Sequence, residues 1–178
     1  MRIRFLLLLA VMLLIPITAR AQKVTVDYAH GTNFSNYHTY AWMKGTPAKN
    51  PLVDQRIVQG IDSRLAAKGL QKVDNPETAD LLVIYHAAVD TKTQLNTYQT
   101  GGWGGWGWGW GSPGYSSTTV QNIPVGQVIV DLADPKAKKF VWRGRGSETI
   151  SSNPEKNAKK LDKALDKMFK DYPPGTKK

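Results

Sequence analysis

The chain has 178 residues, with 24 basic and 14 acidic side chains and a formal net charge of +10. It has no cysteine, which excludes disulfides, thiolate metal sites and cysteine nucleophiles. At 41% hydrophobic and 21% charged, the composition excludes a wholly disordered chain and a multi-span membrane protein.

Arg2 and Arg4 precede an apolar run over residues 5–17, followed by Ala19-Arg20-Ala21. A basic start, an apolar middle and an A-x-A end predict a secretory signal peptide over residues 1–21, cleaved before Gln22. The run falls short of the roughly 20 apolar residues a bilayer span needs. An uncleaved anchor or a buried helix is the alternative. A lipoprotein would carry cysteine where Gln22 stands, so the expected location is exported, periplasmic or envelope-associated, without an acyl anchor. No transmembrane segment is expected in the mature chain.

Val24, Val26 and Tyr28 alternate with Thr25 and Asp27, the pattern of a half-buried first strand. Residues 33–36 are a turn-rich break, and residues 37–42 are aromatic and β-branched enough for a second strand. Asn50-Pro51 reads as an N-cap with proline in the first turn. Leu52, Val53, Ile57, Ile61 and Leu65 then follow at helical spacing up to Gly69. Residues 79–89 predict a central strand, and residues 127–132 and 139–143 an antiparallel hairpin turning at Asp134-Pro135. Asn153-Pro154 opens a second helix, whose apolar face carries Ala158, Leu161, Leu165, Met168, Phe169 and Tyr172. This order predicts an α+β fold: a two-layer sandwich of a mainly antiparallel sheet with two amphipathic helices on one face. Residues 22–174 form one domain and 175–178 a frayed tail.

Residues 92–122 are read as a flexible Trp/Gly-rich insertion. Residues 101–114 alone hold eight glycines and four tryptophans, Trp103, Trp106, Trp108 and Trp110. Ordering that backbone costs more than four buried indoles return, so the segment is either mobile or ordered by something it touches. Three readings stand: a low-complexity insertion without a ligand, a contact with a membrane or partner protein, and a glycan site where indole faces stack on sugars. The segment has no Gly-Lys-Ser/Thr, so it is not a phosphate-binding loop.

The opposite face of the second helix carries Lys156, Lys159, Lys160, Lys163, Lys167 and Lys170, a candidate contact for an anionic surface. Asp162, Asp166 and Asp171 are expected to neutralise it in part. Export argues against nucleic acid as the partner. His30, His38 and His86 have no metal-ligand spacing, and Ser35 and Ser63 sit in no nucleophile motif. Asp80, Asp90, Asp131 and Asp134 fall at or near strand ends. The alternative to a non-enzymatic protein is therefore a hydrolase of envelope polymers using aspartates such as Asp80 and Asp131. It requires two carboxyl groups within about 5–10 Å in a cleft. No cofactor or metal is expected.

Several motifs occur together: residues 33–42 (NFSNYHTYAW), Asp54-Gln-Arg-Ile57 with Ile61-Asp62, residues 65–69, Ala79-Asp80-Leu-Leu-Val83-Ile-Tyr85, Phe140-Val-Trp-Arg-Gly144 and Tyr172-Pro-Pro174. In this order they resemble a bacterial envelope family, the domain of unknown function 4136 family, across essentially the whole mature chain. The resemblance implies a bacterial, exported protein, in a family whose members are often lipoproteins, with no established activity and no catalytic residues to carry over. Gln22 departs from the lipid-anchored pattern. By their chemistry Tyr40 and Trp42 are expected to pack beneath a helix, and Gly69 and Gly144 to terminate elements.

Overall fold

The computed structural model describes residues 23–99 and 116–174. In chain order these form β1 (Lys23–Tyr28), a 3-10 turn (Phe34–Asn36), β2 (Thr39–Trp42), α1 (Pro51–Ala67), β3 (Gln71–Lys72), β4 (Leu81–Gln99), β5 (Ser116–Asp134), β6 (Lys139–Thr149) and α2 (Pro154–Phe169). The strands make one six-stranded sheet in the order β1-β6-β5-β4-β2-β3. The first four are antiparallel, whereas β2 joins β4 and β3 in parallel, so the α+β sheet is mixed at that edge.

Both helices begin as their Asn-Pro openings dictate. Asn50 Oδ1 accepts from the N–H groups of Leu52 and Val53, and Asn153 Oδ1 accepts from that of Lys156, with proline in each first turn. Gly69, at φ +87°, turns the chain out of α1. The β5–β6 turn is closed by Asp134, whose Oδ1 accepts from the N–H groups of Lys136 and Ala137.

One face of the sheet carries the core. Tyr40, Leu81, Val83, Tyr85, Val130, Leu132 and Trp142 pack against Ile57, Ile61 and Leu65 of α1 and Leu165, Met168 and Phe169 of α2. Trp142 stacks on Phe169 at 5.0 Å between centroids. At Gly60 the helices approach so closely that a Cβ would lie 2.6 Å from Leu165 Cδ1. Gly144 does not terminate an element, contrary to the expectation from sequence. It lies inside β6, and a Cβ there would overlap Met168 and come within 2.6 Å of Trp142 Cη2. The missing side chain is room for α2.

The second difference is larger. Residues 92–99 and 116–122 are strand rather than loop, since β4 and β5 pair without a register break from Leu82↔Ala133 to Gln99↔Ser116. Thr91, Thr93, Thr97, Val120 and Ile123 are β-branched, and a strand that already has a partner propagates through such residues. Residues 1–22, 100–115 and 175–178, and with them the expected signal peptide, the four tryptophans and the frayed tail, lie outside the described residues. Among the described residues no helix is long and apolar enough to cross a membrane.

Candidate functional site

The unusual feature of the sheet is where it narrows. β6 accompanies β5 only as far as Val125↔Thr149, and on the other side the last contact with β4 is the Thr46↔His86 bridge. From Thr91↔Pro124 to Gln99↔Ser116 the sheet is two strands wide. At about 3.3 Å per residue this ribbon extends on the order of 27 Å from the body. Residues 88–94 and 119–122 are exposed, Val89 to 68% and Val120 to 59%. A two-stranded ribbon is marginal in water on its own. The ribbon is an arm, and the segment bearing Trp103, Trp106, Trp108 and Trp110 joins its two ends.

On α2, Lys156, Lys159, Lys163, Lys167 and Lys170 are exposed. Lys160 is drawn aside, with its ammonium donating to Glu148 Oε1 at 3.2 Å and to the Thr149 carbonyl at 2.7 Å. Asp162 and Asp166 are exposed on the same helix. Both carboxylates turn to Arg64 of α1, at 2.6 and 2.7 Å, where they clamp the two helices together. The two carboxylates remain about two-thirds exposed and still offset part of the lysine charge.

The structure does not bring Asp80 and Asp131 together. Asp131 lies opposite Ile84, four positions along β4 from Asp80, or about 13 Å in the strand direction. Each candidate aspartate has a structural task. Asp80 Oδ2 accepts from the His38 N–H, the Thr39 N–H and the Thr39 hydroxyl, tying β2 to the start of β4. The His38 N–H above all, with Thr39 and Lys136, holds its carboxyl below the usual carboxylate range against the effect of burial. The Ala137 N–H foremost, with the Tyr37 hydroxyl, does the same for Asp134. Burial, with Asp134 as hydrogen-bond acceptor, pushes the Tyr37 phenol up to about 12. Asp131 is 1% exposed and receives a bidentate grip from Arg143, at 2.5 and 2.9 Å. Asp90 accepts from Gln127.

His86 Nδ1 is 2.9 Å from the Thr46 hydroxyl, and His30 packs on the Tyr28 ring. Among the described residues no group of three or more histidine or carboxylate side chains could hold a metal ion.

Sequence reasoning passed over two carboxylates on α1. Asp62 Oδ1 accepts from the Tyr40 hydroxyl at 2.7 Å and the Trp42 indole N–H at 2.9 Å, while Oδ2 meets Lys72 at 3.0 Å. Asp54 Oδ1 accepts from the Tyr85 hydroxyl and the Ala48 N–H. Both stand on the helix face that covers the sheet. Their signal was an acidic residue beside a core stripe, facing aromatics that carry a donor.

Residues 24–174 match the family described as "Domain of unknown function (DUF4136)". The chain belongs to this family. Among solved structures, the DUF4136 chain resembles a DUF4136 family protein from Bacteroides thetaiotaomicron, at 17% identity and a TM-score of 0.53, over 85% of this chain and 96% of that one. It also resembles a PDZ domain protein from Parabacteroides distasonis, at 18% identity and a TM-score of 0.53, over 87% of this chain. It spans 36% of that protein's length. A PelC dodecamer structure from Paraburkholderia phytofirmans follows at 15% identity and a TM-score of 0.47, over 83% of this chain and 96% of that one. At these identities the first two likenesses show the fold alone. Among curated proteins no sequence matches. The residues 33–42 and 79–85 on which the family resemblance rests have structural work here, since His38, Thr39, Tyr40 and Trp42 are the donors that Asp80 and Asp62 hold.

Proposed function

We propose that this DUF4136 protein is a non-enzymatic, exported envelope protein, periplasmic or envelope-associated, that presents its Trp/Gly-rich segment to a membrane, protein or glycan partner. The observation that carries this reading is the arm. A nine-pair ribbon, from Thr91↔Pro124 to Gln99↔Ser116, leads from the body of the sheet to the two residues that flank that segment. Indoles suit such a contact because they offer an apolar ring and one N–H donor together. The lysines at 156, 159, 163 and 167 form a second, electrostatic contact for an anionic surface, supported by the exposure of all four and by the pairing of Asp162 and Asp166 with Arg64 rather than with them.

The test is deletion of residues 101–114. The shortened protein keeps its thermal midpoint within a few degrees, whereas loss of folding would show that the segment belongs to the core. Only Trp42 and Trp142 lie outside the segment, so the difference in emission between the two proteins reports on the tip. That emission shifts to the blue on adding anionic vesicles or peptidoglycan fragments, and an unchanged spectrum with each discards that ligand.

A further inference from the structure

We propose that the outer edge of β4 in the arm is a pairing site for the same edge of a second copy of this chain. The inference rests on the arm but not on what its tip touches. Backbone alternation identifies the groups involved. The carbonyls of Val83 and Tyr85 accept from Met43 and Thr46, and the Ala87 N–H donates to Thr46, so odd-numbered residues of β4 turn their N–H and C=O toward the β2 side. The β4–β5 register is unbroken to Gln99↔Ser116, so the alternation continues through Val89, Thr91, Thr93, Leu95, Thr97 and Gln99. No described strand lies beside these six residues.

Natural edge strands are blunted by charge, proline or bulges. This one has neither proline nor bulge from Val89 to Gln99, and its two charges, Asp90 and Lys92, are both near the base of the arm. The open edge is also self-complementary. An antiparallel pairing about a two-fold axis at Gln94 sets Val89 against Gln99, Thr91 against Thr97 and Thr93 against Leu95. It places Asp90 opposite Tyr98 and Lys92 opposite Asn96, so no like charges meet. Centring the pair on Lys92 would oppose the two ammonium groups. A third and fourth strand would also give the marginal ribbon the neighbours it lacks.

The cysteine-free background makes the test direct. Gln94 is even-numbered, so across the axis it would form a non-hydrogen-bonded pair, with Cα atoms about 4.5 Å apart and within disulfide range. Under copper–phenanthroline oxidation Gln94→Cys gives a disulfide-linked dimer at least roughly tenfold faster than Lys159→Cys, placed on the exposed face of α2. The unmodified chain sediments as a concentration-dependent dimer. Thr93→Pro sediments as a monomer with an unchanged circular-dichroism melt, because the lost N–H points outward and takes no part in the β4–β5 ladder. A wild-type chain that stays monomeric, with Gln94→Cys linking no faster than Lys159→Cys, overturns the proposal. Linking at Gln94 without any response of the tip to vesicles or peptidoglycan would leave this pairing standing and remove those ligands. The reverse pattern would do the opposite.

Discussion

Substitution of Asp62 tests how α1 is held to the sheet. Its Oδ1 is the acceptor for both Tyr40 and Trp42, and Tyr40 is only 2% exposed. In Asp62→Ala the Tyr40 hydroxyl is stranded in the core, at a cost of about 1–3 kcal/mol. The half-buried Trp42 indole regains water more easily and adds roughly 0.5–1.5 kcal/mol. The pair with Lys72, whose side chain is 47% exposed, contributes about 0–1 kcal/mol. The total is on the order of 2–5 kcal/mol, a large share of the roughly 5–15 kcal/mol that stabilises an ordinary domain. Asp62→Asn keeps a carbonyl oxygen for both aromatic donors and loses only the charge, so it costs about 1 kcal/mol or less. Urea unfolding followed by circular dichroism distinguishes the two. With a slope of about 1–3 kcal/mol per molar, Asp62→Ala lowers the midpoint by roughly 1–2 M while Asp62→Asn barely moves it. Equal losses in the two variants would show that the charge, and not the shared acceptor, holds the helix.

The Arg143–Asp131 pair is the next test. Arg143→Ala leaves a carboxylate of 1% exposure unpaired and destabilises by about 3–5 kcal/mol, whereas Arg143→Ala with Asp131→Ala recovers part of that loss in the same urea assay. Asp80 and Asp134 set the acid limb of stability. Both titrate below the ordinary carboxylate value in the folded state, so their contribution is complete above about pH 4 and is lost as pH falls through the folded values. Asp80→Asn flattens stability against pH in that acid window and leaves the neutral-to-alkaline profile unchanged, and an unaltered acid limb in the variant would refute the assignment.

Where the sequence was readable, local chemistry and tertiary structure agreed. Asn50-Pro51 and Asn153-Pro154 start helices, Gly69 ends one, and Asp134 closes a turn through its own side chain. The arm was not readable for the same reason. Thr, Asn and Gln between residues 91 and 99 look like loop when each is judged alone. They become strand because Val83 and Tyr85 have already fixed the register with Leu132 and Val130, and each further pair only extends it. The partner of Asp162 and Asp166 was not readable, because sequence places them beside the lysines on one helix and says nothing of Arg64, about a hundred residues earlier in the chain, which takes them both. Gly144 was misread likewise: its reason for being glycine is Met168 on another element.

These failures share a cause that bears on function. The core occupies one sheet face and ends, along β4 and β5, near Tyr85 and Val130, with the half-buried Ala87 and Val128 at its margin. The arm beyond it is exposed at residues 91–94 and 119–122, yet it retains nine pairs of strand. A ribbon whose residues 91–94 and 119–122 are exposed gains little stability from those side chains, and its outer edges leave backbone donors and acceptors without a partner strand among the described residues. Such an extension is free to be selected for what it touches, because changing it hardly disturbs the fold. The exposed side of α2 is in the same position, since its apolar face is turned to the sheet and α1 while Lys156, Lys159, Lys163 and Lys167 are exposed on the other side. Substitutions on the arm and on that lysine face should therefore separate binding from stability, whereas substitutions at Asp62, Asp80, Asp131 or Gly144 should not.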